Sequence, residues 1–341
     1  MKRPTIADIA QRAGVSKGAV SYALNGRRGV SDATRQRIVA IARELGFNPS
    51  NAARALSGAS ARAVGMTLCR PAEILAVETF FMRLISGFEA ELAARGFALT
   101  IQVVSTPADE IAVYRRWWGE RRVDGVFVTD LRGDDVRIPV LRDLRLPAVV
   151  IGGPGDTGPI SQVWSDDAPA ITEVVRYLST LGHRRIARVG GMPELLHTQT
   201  RTRAFEEVCA TVGMESAVSV FSDYTGEGGS VTTRRLLTGD DRPTAIIYDN
   251  DVMAVAGLAV AQELGIGVPA DLSIVAWDDS PLSSLVHPPL SALRRDIAEY
   301  GAHAARQLLA TIAGDNVGHL RAGAAHLIPR GSTAPPPAGS R

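Results

Sequence analysis

Residues 5–46 read TIADIAQRAGVSKGAVSYALNGRRGVSDATRQRIVAIARELG, and this stretch decides the reading of the whole chain. Thr5-Ile6-Ala7-Asp8 has the form of a capping box, in which Thr5 accepts from the first turn and Asp8 reaches back. Ile6, Ile9 and Ala10 give one apolar face, and Gly14 permits a tight bend after Ala13. Ser16 caps a second short helix carrying Val20 and Leu24, which Asn25-Gly26 ends. Ser31 caps a third helix, with Asp32 in its positive first turn; its buried stripe is Ile38, Ile41, Ala42 and Leu45, and Gly46 closes it. Two helices joined by a short Gly-containing turn and braced by a third form a helix-turn-helix. In that motif the second helix enters the major groove of DNA.

Working outward, charge agrees with this reading. Residues 1–62 hold eleven Lys/Arg against three acids, a net +8; the whole chain is +1, so the rest carries −7. A basic head on an acidic body points to a polyanion for the head. Lys17 can donate to guanine; Gly18, Ser21 and Tyr22 share its end of the helix, and Tyr22 can meet a base edge or a phosphate. Thr5, Ser16 and Asn25 read as phosphate contacts that set register. Residues 50–58, SNAARALSG, have a cap, helix formers and a Gly stop, but only about two turns, too few to be stable alone. They read either as an interdomain linker or as a segment that folds on DNA, with Leu56 wedged in the minor groove and Arg54 on the backbone.

From Ala63 onward, β-branched runs alternate with helical stretches. Ala63–Leu68, Ala98–Val103, Val123–Val128 and Ala148–Ile151 form one strand series; Arg185–Val189, Ala245–Tyr248 and Ser273–Trp277 form a second. That rhythm predicts an α/β body of two doubly wound parallel-sheet lobes. Ligands of such sheets bind at strand carboxyl ends. There the sequence places Thr129-Asp130, Asp166-Asp167, Asp249-Asn250-Asp251 and Asp278-Asp279, with Trp277 alongside. Carboxylates, an amide and aromatic faces suit a hydroxylated ligand such as a sugar. Each residue alone reads equally as a turn residue or helix cap; their recurrence is the informative feature.

The run from Thr5 to Gly58 resembles the DNA-binding head of the LacI (lactose repressor) family. VDGVFV (123–128), GHRRIARVGG (182–191), RTRAF (201–205), RPTAIIYDNDVMAVAGL (242–258) and DLSIVAWDD (271–279) resemble its effector domain, which is similar to periplasmic sugar-binding proteins. The resemblance implies a helix-turn-helix head, residues 1–49, and a hinge helix with linker, 50–62, whose Leu56 intercalates at the centre of a palindromic operator. It implies an effector and dimerisation domain, 63–330, with lobe 1 about 63–163 and 294–322 and lobe 2 about 164–293 and 323–330. Residues 331–341, rich in Pro, Ser and Gly, are expected to be a disordered tail. Lys17, Gly18 and Tyr22 fall where the family varies its base readers; Gly18 has no side chain to read with. The effector contacts implied are Phe81, Asp166, Arg201, Asn250, Asp251, Trp277 and Asp278, with VWSDDAP (163–169) leaving the register at Asp166 open by one residue. The tail carries Pro335 to Pro337 and no heptads, so a homodimer is expected, not the tetramer of members with an added C-terminal heptad segment.

The expected partners are double-stranded operator DNA and a small-molecule effector, a sugar, with neither membrane nor cofactor, in a cytoplasmic repressor. Two cysteines, Cys69 and Cys209, argue against a disulfide framework. The N-terminus leads into an amphipathic segment and not a signal-peptide core, against an exported binding protein. An enzyme is not expected. IGGPGDTGP (151–159) lacks a P-loop lysine, the six histidines lack zinc-ligand spacing, and no Gly-x-Ser-x-Gly elbow occurs.

Overall fold

The computed structural model describes residues 4–24, 28–47, 60–70, 72–315 and 317–337. It contains a helical head and a larger α/β unit, each with its own core.

Among the described residues the head has three helices: α1 (Ile6–Ala13), α2 (Lys17–Leu24) and α3 (Asp32–Glu44). The capping box forms as expected. Asp8 N–H donates to Thr5 Oγ1 at 3.4 Å, and Thr5 N–H donates to Asp8 Oδ2 at 2.7 Å. Gly14 ends α1 with φ +63, a conformation in which a Cβ is strained. Ser16 Oγ accepts from Ala19 N–H at 3.1 Å, and Ser31 Oγ from Thr34 N–H at 3.3 Å. Ile9, Val20 and Ile38 meet fully buried, one from each helix. Ile41 and Leu45 of the expected stripe are only partly buried against this core. The stop at Asn25-Gly26 and the segment 50–58 lie outside the described residues. So small a core leaves the caps a large share of its stability. Thr5→Ala is expected to cost about 1 kcal/mol, read as faster amide exchange in α1 with the body unchanged.

The α/β unit has two six-stranded sheets of matching order. The first runs β11-β5-β4-β3-β1-β2, with β1 Ala63–Leu68, β2 Ala98–Val103, β3 Gly125–Val128, β4 Ala148–Gly152, β5 Ser161–Trp164 and β11 Leu320–Arg321. The second runs β12-β10-β9-β8-β6-β7, with β6 Arg185–Gly190, β7 Ser216–Phe221, β8 Ala245–Tyr248, β9 Ser273–Trp277, β10 Ser291–Arg294 and β12 His326–Ile328. Among the described residues, all pairings between these strands are parallel except β10 with β12. The central strands are buried on both faces, which explains their unbroken Val/Ile runs.

Three connections pass between the sheets: after β5, after β10 and after β11. The helix after the second passage, α13 (Ile297–Ala313), packs on α5 (Thr79–Ala94) over the first sheet. The other helices, in chain order, are α4 (Ala72–Val77), α6 (Pro107–Gly119), α7 (Arg137–Leu144), α8 (Ala168–Leu181), α9 (Leu196–Val212), α10 (Gly226–Thr238), α11 (Asp251–Glu263) and α12 (Pro281–Leu285).

The disordered tail expected at 331–341 is corrected for residues 331–337. Ser332 is fully buried; its Oγ donates to Ile274 O at 2.6 Å and accepts from Ser291 N–H at 2.8 Å. Ala334 N–H donates to Ser273 Oγ at 3.1 Å, and its carbonyl lies 3.0 Å from Nε2 of buried His183. Composition reports only what a segment could do alone. Here β9 and β10 offer backbone and hydroxyl groups that the segment satisfies.

Candidate functional site

Both sheets point strand carboxyl ends at one cavity. From the first come Arg70 after β1, Thr129 and Asp130 after β3, and Ser165 and Asp167 after β5; Phe80 and Phe81 open α5 beside them. From the second come His197 and Arg201 of α9, Tyr224 after β7, Asp249 after β8, and Asp278 after β9. Arg295, just after β10, and Tyr300 of α13 complete the wall. About 620 Å³ of space, part of it open to solvent, lies among these side chains.

The wall is built of ion pairs. Arg201 Nε donates to Asp167 Oδ2 at 2.8 Å, its Nη1 donates to Asp249 O at 3.3 Å, and its guanidinium lies 3.6 Å over the Trp277 ring. Asp249 is gripped from behind by Arg188 through Nε, at 2.9 Å, and Nη2. Arg70 pairs with Asp130 at 2.9 Å, and Arg295 lies 3.4 Å from Asp278. Asp130 (φ +54) and Asp278 (φ +63) hold left-handed backbone conformations uncommon outside Gly, Asn and Asp. A buried frame sets the first: Arg137 donates to Asp130 O at 2.9 Å while chelating Glu110 and Asp135.

Burial pushes the Asp278 carboxyl up from its usual range, with Arg295 and Arg201 opposing. His197 is held well below its usual value by burial and by the arginines around it, so it is a neutral ring; its Nε2 lies 2.7 Å from Tyr224 OH.

The cavity concentrates unsatisfied polarity. Fourteen buried side-chain N or O atoms lack a hydrogen-bond partner among the described residues. Six line this cavity: Arg70 Nε and Nη1, Glu78 Oε2, Asp167 Oδ1, Asp278 Oδ1 and Arg295 Nε. Each such atom costs about 1–3 kcal/mol when buried unpaired. Both donors and acceptors are among them, and a hydroxyl can serve either.

Of the residues expected from sequence, Phe81, Arg201 and Asp278 line the cavity. Four do not. Asp166 faces away, paired with Arg321 at 2.9 Å, and the wall residue is its neighbour Asp167: past the strand end, consecutive side chains diverge. Asn250 is consumed by the fold, its Oδ1 capping α11 at Met253 N–H and its Nδ2 donating to Tyr224 O. Asp251, the first residue of α11, is buried behind the wall, its carboxyl pushed up to about 6 chiefly by desolvation. Trp277 is wholly buried and supports Arg201 from behind. Arg70, Glu78, His197, Tyr224 and Arg295 were missed. Arg70, Glu78, Tyr224 and Arg295 sit in connections between elements, where no periodicity marks them, and His197 lies in the first turn of α9.

In the head, Lys17, Gly18 and Tyr22 are exposed and Ser21 is half-buried; Lys17 with Ser21, and Gly18 with Tyr22, are one turn apart on α2. Thr5 and Ser16 are exposed at the starts of α1 and α2. A Cβ at Gly18 would meet nothing closer than Ser16 Oγ at 3.7 Å, so packing does not demand glycine there. Asn25, Arg54 and Leu56 lie outside the described residues.

Comparison with known proteins fits both halves. Residues 5–50 match the family model described as bacterial regulatory proteins, lacI family, and residues 175–333 match a periplasmic binding protein-like domain. Over 96% of its length and 94% of the relative's, the chain is 31% identical to the HTH-type transcriptional regulator AglR of Rhizobium meliloti (strain 1021). The chain belongs to the LacI family. This LacI-family protein is a helix-turn-helix transcriptional regulator, and its relatives are regulators and not enzymes. Its fold superposes on the transcriptional regulator CelR–cellobiose complex with a TM-score of 0.74 and 28% identity, covering 97% of this chain and all of that one. On the lac repressor dimer bound to operator and the anti-inducer ONPF the TM-score is 0.83, at 25% identity, covering 98% of this chain and all of that one. Among the described residues no cluster of His, Cys, Asp and Glu could hold a metal, and no helix is long and apolar enough to cross a membrane.

Proposed function

We propose that this regulator is a repressor that binds a palindromic operator as a homodimer and loosens from it when a sugar enters the cleft. The observation that carries the sugar is the set of six buried polar atoms beside Phe81 and Tyr224 that make no hydrogen bond, although Arg295 Nε and Asp278 Oδ1 among them form an ion pair with each other. The solved CelR–cellobiose complex supports the same ligand class. Hydroxyls satisfy the polar atoms while aromatic rings cover C–H faces.

On this reading Thr5, Ser16 and Asn25 hold phosphates, Lys17, Ser21 and Tyr22 read bases, and residues 50–62 form the hinge carrying Arg54 and Leu56. The head is 1–49 and the effector domain 63–330. The protein works in the cytoplasm, with the chromosome. Dimerisation would use the flank where α5 meets α12. Met82 (63% exposed) and Leu285 (81%) stand out there beside a groove lined by Thr79, Arg83, Pro281 and Arg294.

Fluorescence anisotropy with a randomised palindrome library against random duplex, at about 0.15 M salt, tests the DNA half. A selected palindrome should bind at least about 10³-fold tighter than random sequence, with strong salt dependence from phosphate contacts. Equal affinity for both, with and without sugars, would end the reading. A thermal-shift panel of mono- and disaccharides tests the ligand half, since a bound sugar raises the melting temperature.

A further inference from the structure

The strands β1 to β4 pair in parallel, so their first residues share one end of the first lobe, opposite the end that carries the cavity. The strands β6 to β9 do the same in the second lobe. The two ends differ in charge. The connections entering β1, β2, β3 and β4 (60–62, 95–97, 120–124 and 145–147) hold five arginines against two acids. Those entering β6, β7, β8 and β9 (182–184, 213–215, 239–244 and 264–272) hold two arginines against four acids. Residues 63–341 are acidic as a whole, so the first lobe's strand-start end reverses the sign of the body around it.

Two of the arginines sit there at a backbone cost. Arg62 (φ +52) enters β1 and Arg145 (φ +51) enters β4 in left-handed conformations. The turns into β2, β6 and β7 meet the same demand with Gly96 (φ +69), Gly182 (φ +101) and Gly213 (φ +70), which carry no Cβ to strain. A cation also favours a helix C-terminus, but α8 and α9 end without a basic residue in the last turn, so the fold does not require one. A charged side chain kept where glycine fits better points to a use for the charge. Arg145, and Arg115 near the end of α6, are exposed and form no ion pair or side-chain hydrogen bond among the described residues.

We propose that the strand-start end of the first lobe is a second contact for the DNA backbone, with Arg115 and Arg145 on phosphates outside the base pairs that the head reads. Charge complementarity and chain continuity select duplex DNA as the occupant. The first strand of this lobe follows the head directly: twelve residues, 48–59, separate Phe47 from Ser60. At about 3.6 Å per residue, they tether Ser60 within about 45 Å of the head. A duplex held by the head is therefore presented to this lobe at high local concentration. The contact is independent of sequence, adds to the salt dependence, and needs a duplex longer than the head's own site.

The test uses the full chain and two random-sequence duplexes, one of about 20 base pairs, the span of two half-sites, and one about twice as long. Anisotropy titrations run from about 50 to 200 mM salt. The double variant Arg115→Ala/Arg145→Gly should bind the long duplex about tenfold more weakly at low salt and lower the slope of log affinity against log salt by about 2. Its affinity for the short duplex should be parental, and it should melt no lower than the parent, since glycine relieves the turn. Arg115→Lys/Arg145→Lys should restore most of the long-duplex affinity. Parental affinity of the first double variant for the long duplex, or equal losses on both lengths, overturns the second contact and leaves the head's role standing. A lowered melting temperature overturns it too, because the arginines then serve the fold. Lost binding of polyglutamate with DNA binding unchanged assigns this end to an acidic protein and overturns the DNA contact. Failure of the parent to bind either duplex at the lowest salt overturns the head's DNA reading and this one with it.

Discussion

Arg201→Ala is expected to abolish the response to sugar, lower the melting temperature of the α/β unit, and leave operator binding intact. Arg201 is 4% exposed and joins three parts of the wall: Asp167 after β5, the Asp249 carbonyl after β8, and the Trp277 face. Its loss strands Asp167, whose other cation, Arg295, is 3.8 Å away. Breaking a buried pair from one side costs about 3–5 kcal/mol, because the remaining charge stays buried. Asp249 suffers less, since Arg188 still holds it. The head keeps its own core of Ile9, Val20 and Ile38, so DNA recognition survives. Arg201→Lys should fall between, retaining charge but losing the two-pronged geometry. The check pairs calorimetry with operator titrations in the presence of whichever sugar shifts the parent protein. A variant that still responds with parental affinity would place the effector elsewhere.

Gly87→Ala is expected to destabilise the first lobe by about 3 kcal/mol or more, the upper end for overpacking. Gly87 lies where α5 and α13 cross. A Cβ there would sit 1.9 Å from the Ala298 carbonyl oxygen, and one on Gly301 of the facing helix 2.3 Å from the Leu84 carbonyl oxygen. Both obstacles are backbone, so no rotamer relieves them and the helices must separate. Separation also disturbs the cavity, because α5 carries Phe80 and Phe81 while α13 carries Tyr300, whose OH donates to Val163 O at 3.0 Å. Weakened sugar binding should accompany the stability loss. Gly133→Ala, with nothing within 4 Å of its Cβ, is the control and should change little. Equal melting temperatures for the two variants would show that the crossing tolerates a wider helix spacing.

The candidate site was legible only in outline. Strand-end position located Asp278, but the same rule promoted Asn250, which caps α11, and Asp166, which faces Arg321. Arg201 was legible through RTRAF; its partner Asp167 was one residue from the expected one. Nothing local distinguishes these pairs. Which of two adjacent side chains faces a cavity depends on the direction of the chain after the strand ends, which distant packing sets. Arg70, Glu78 and Tyr224 were invisible because each lies in a connection whose path past the cavity is set by distant packing.

Interactions within three or four residues were readable from the amino acids alone: the caps at Thr5, Ser16 and Ser31, the glycine turn at Gly14, and the β-branched runs of the central strands. The energies that set them act over a single turn or one strand, so the local order of residues is enough. Tertiary structure alone decided which carboxylates face the cavity, that residues 331–337 dock on β9 and β10, and that Ile74 lies in the opposite lobe's core. Those outcomes depend on groups that lie far apart in the chain and meet only after both sheets have formed.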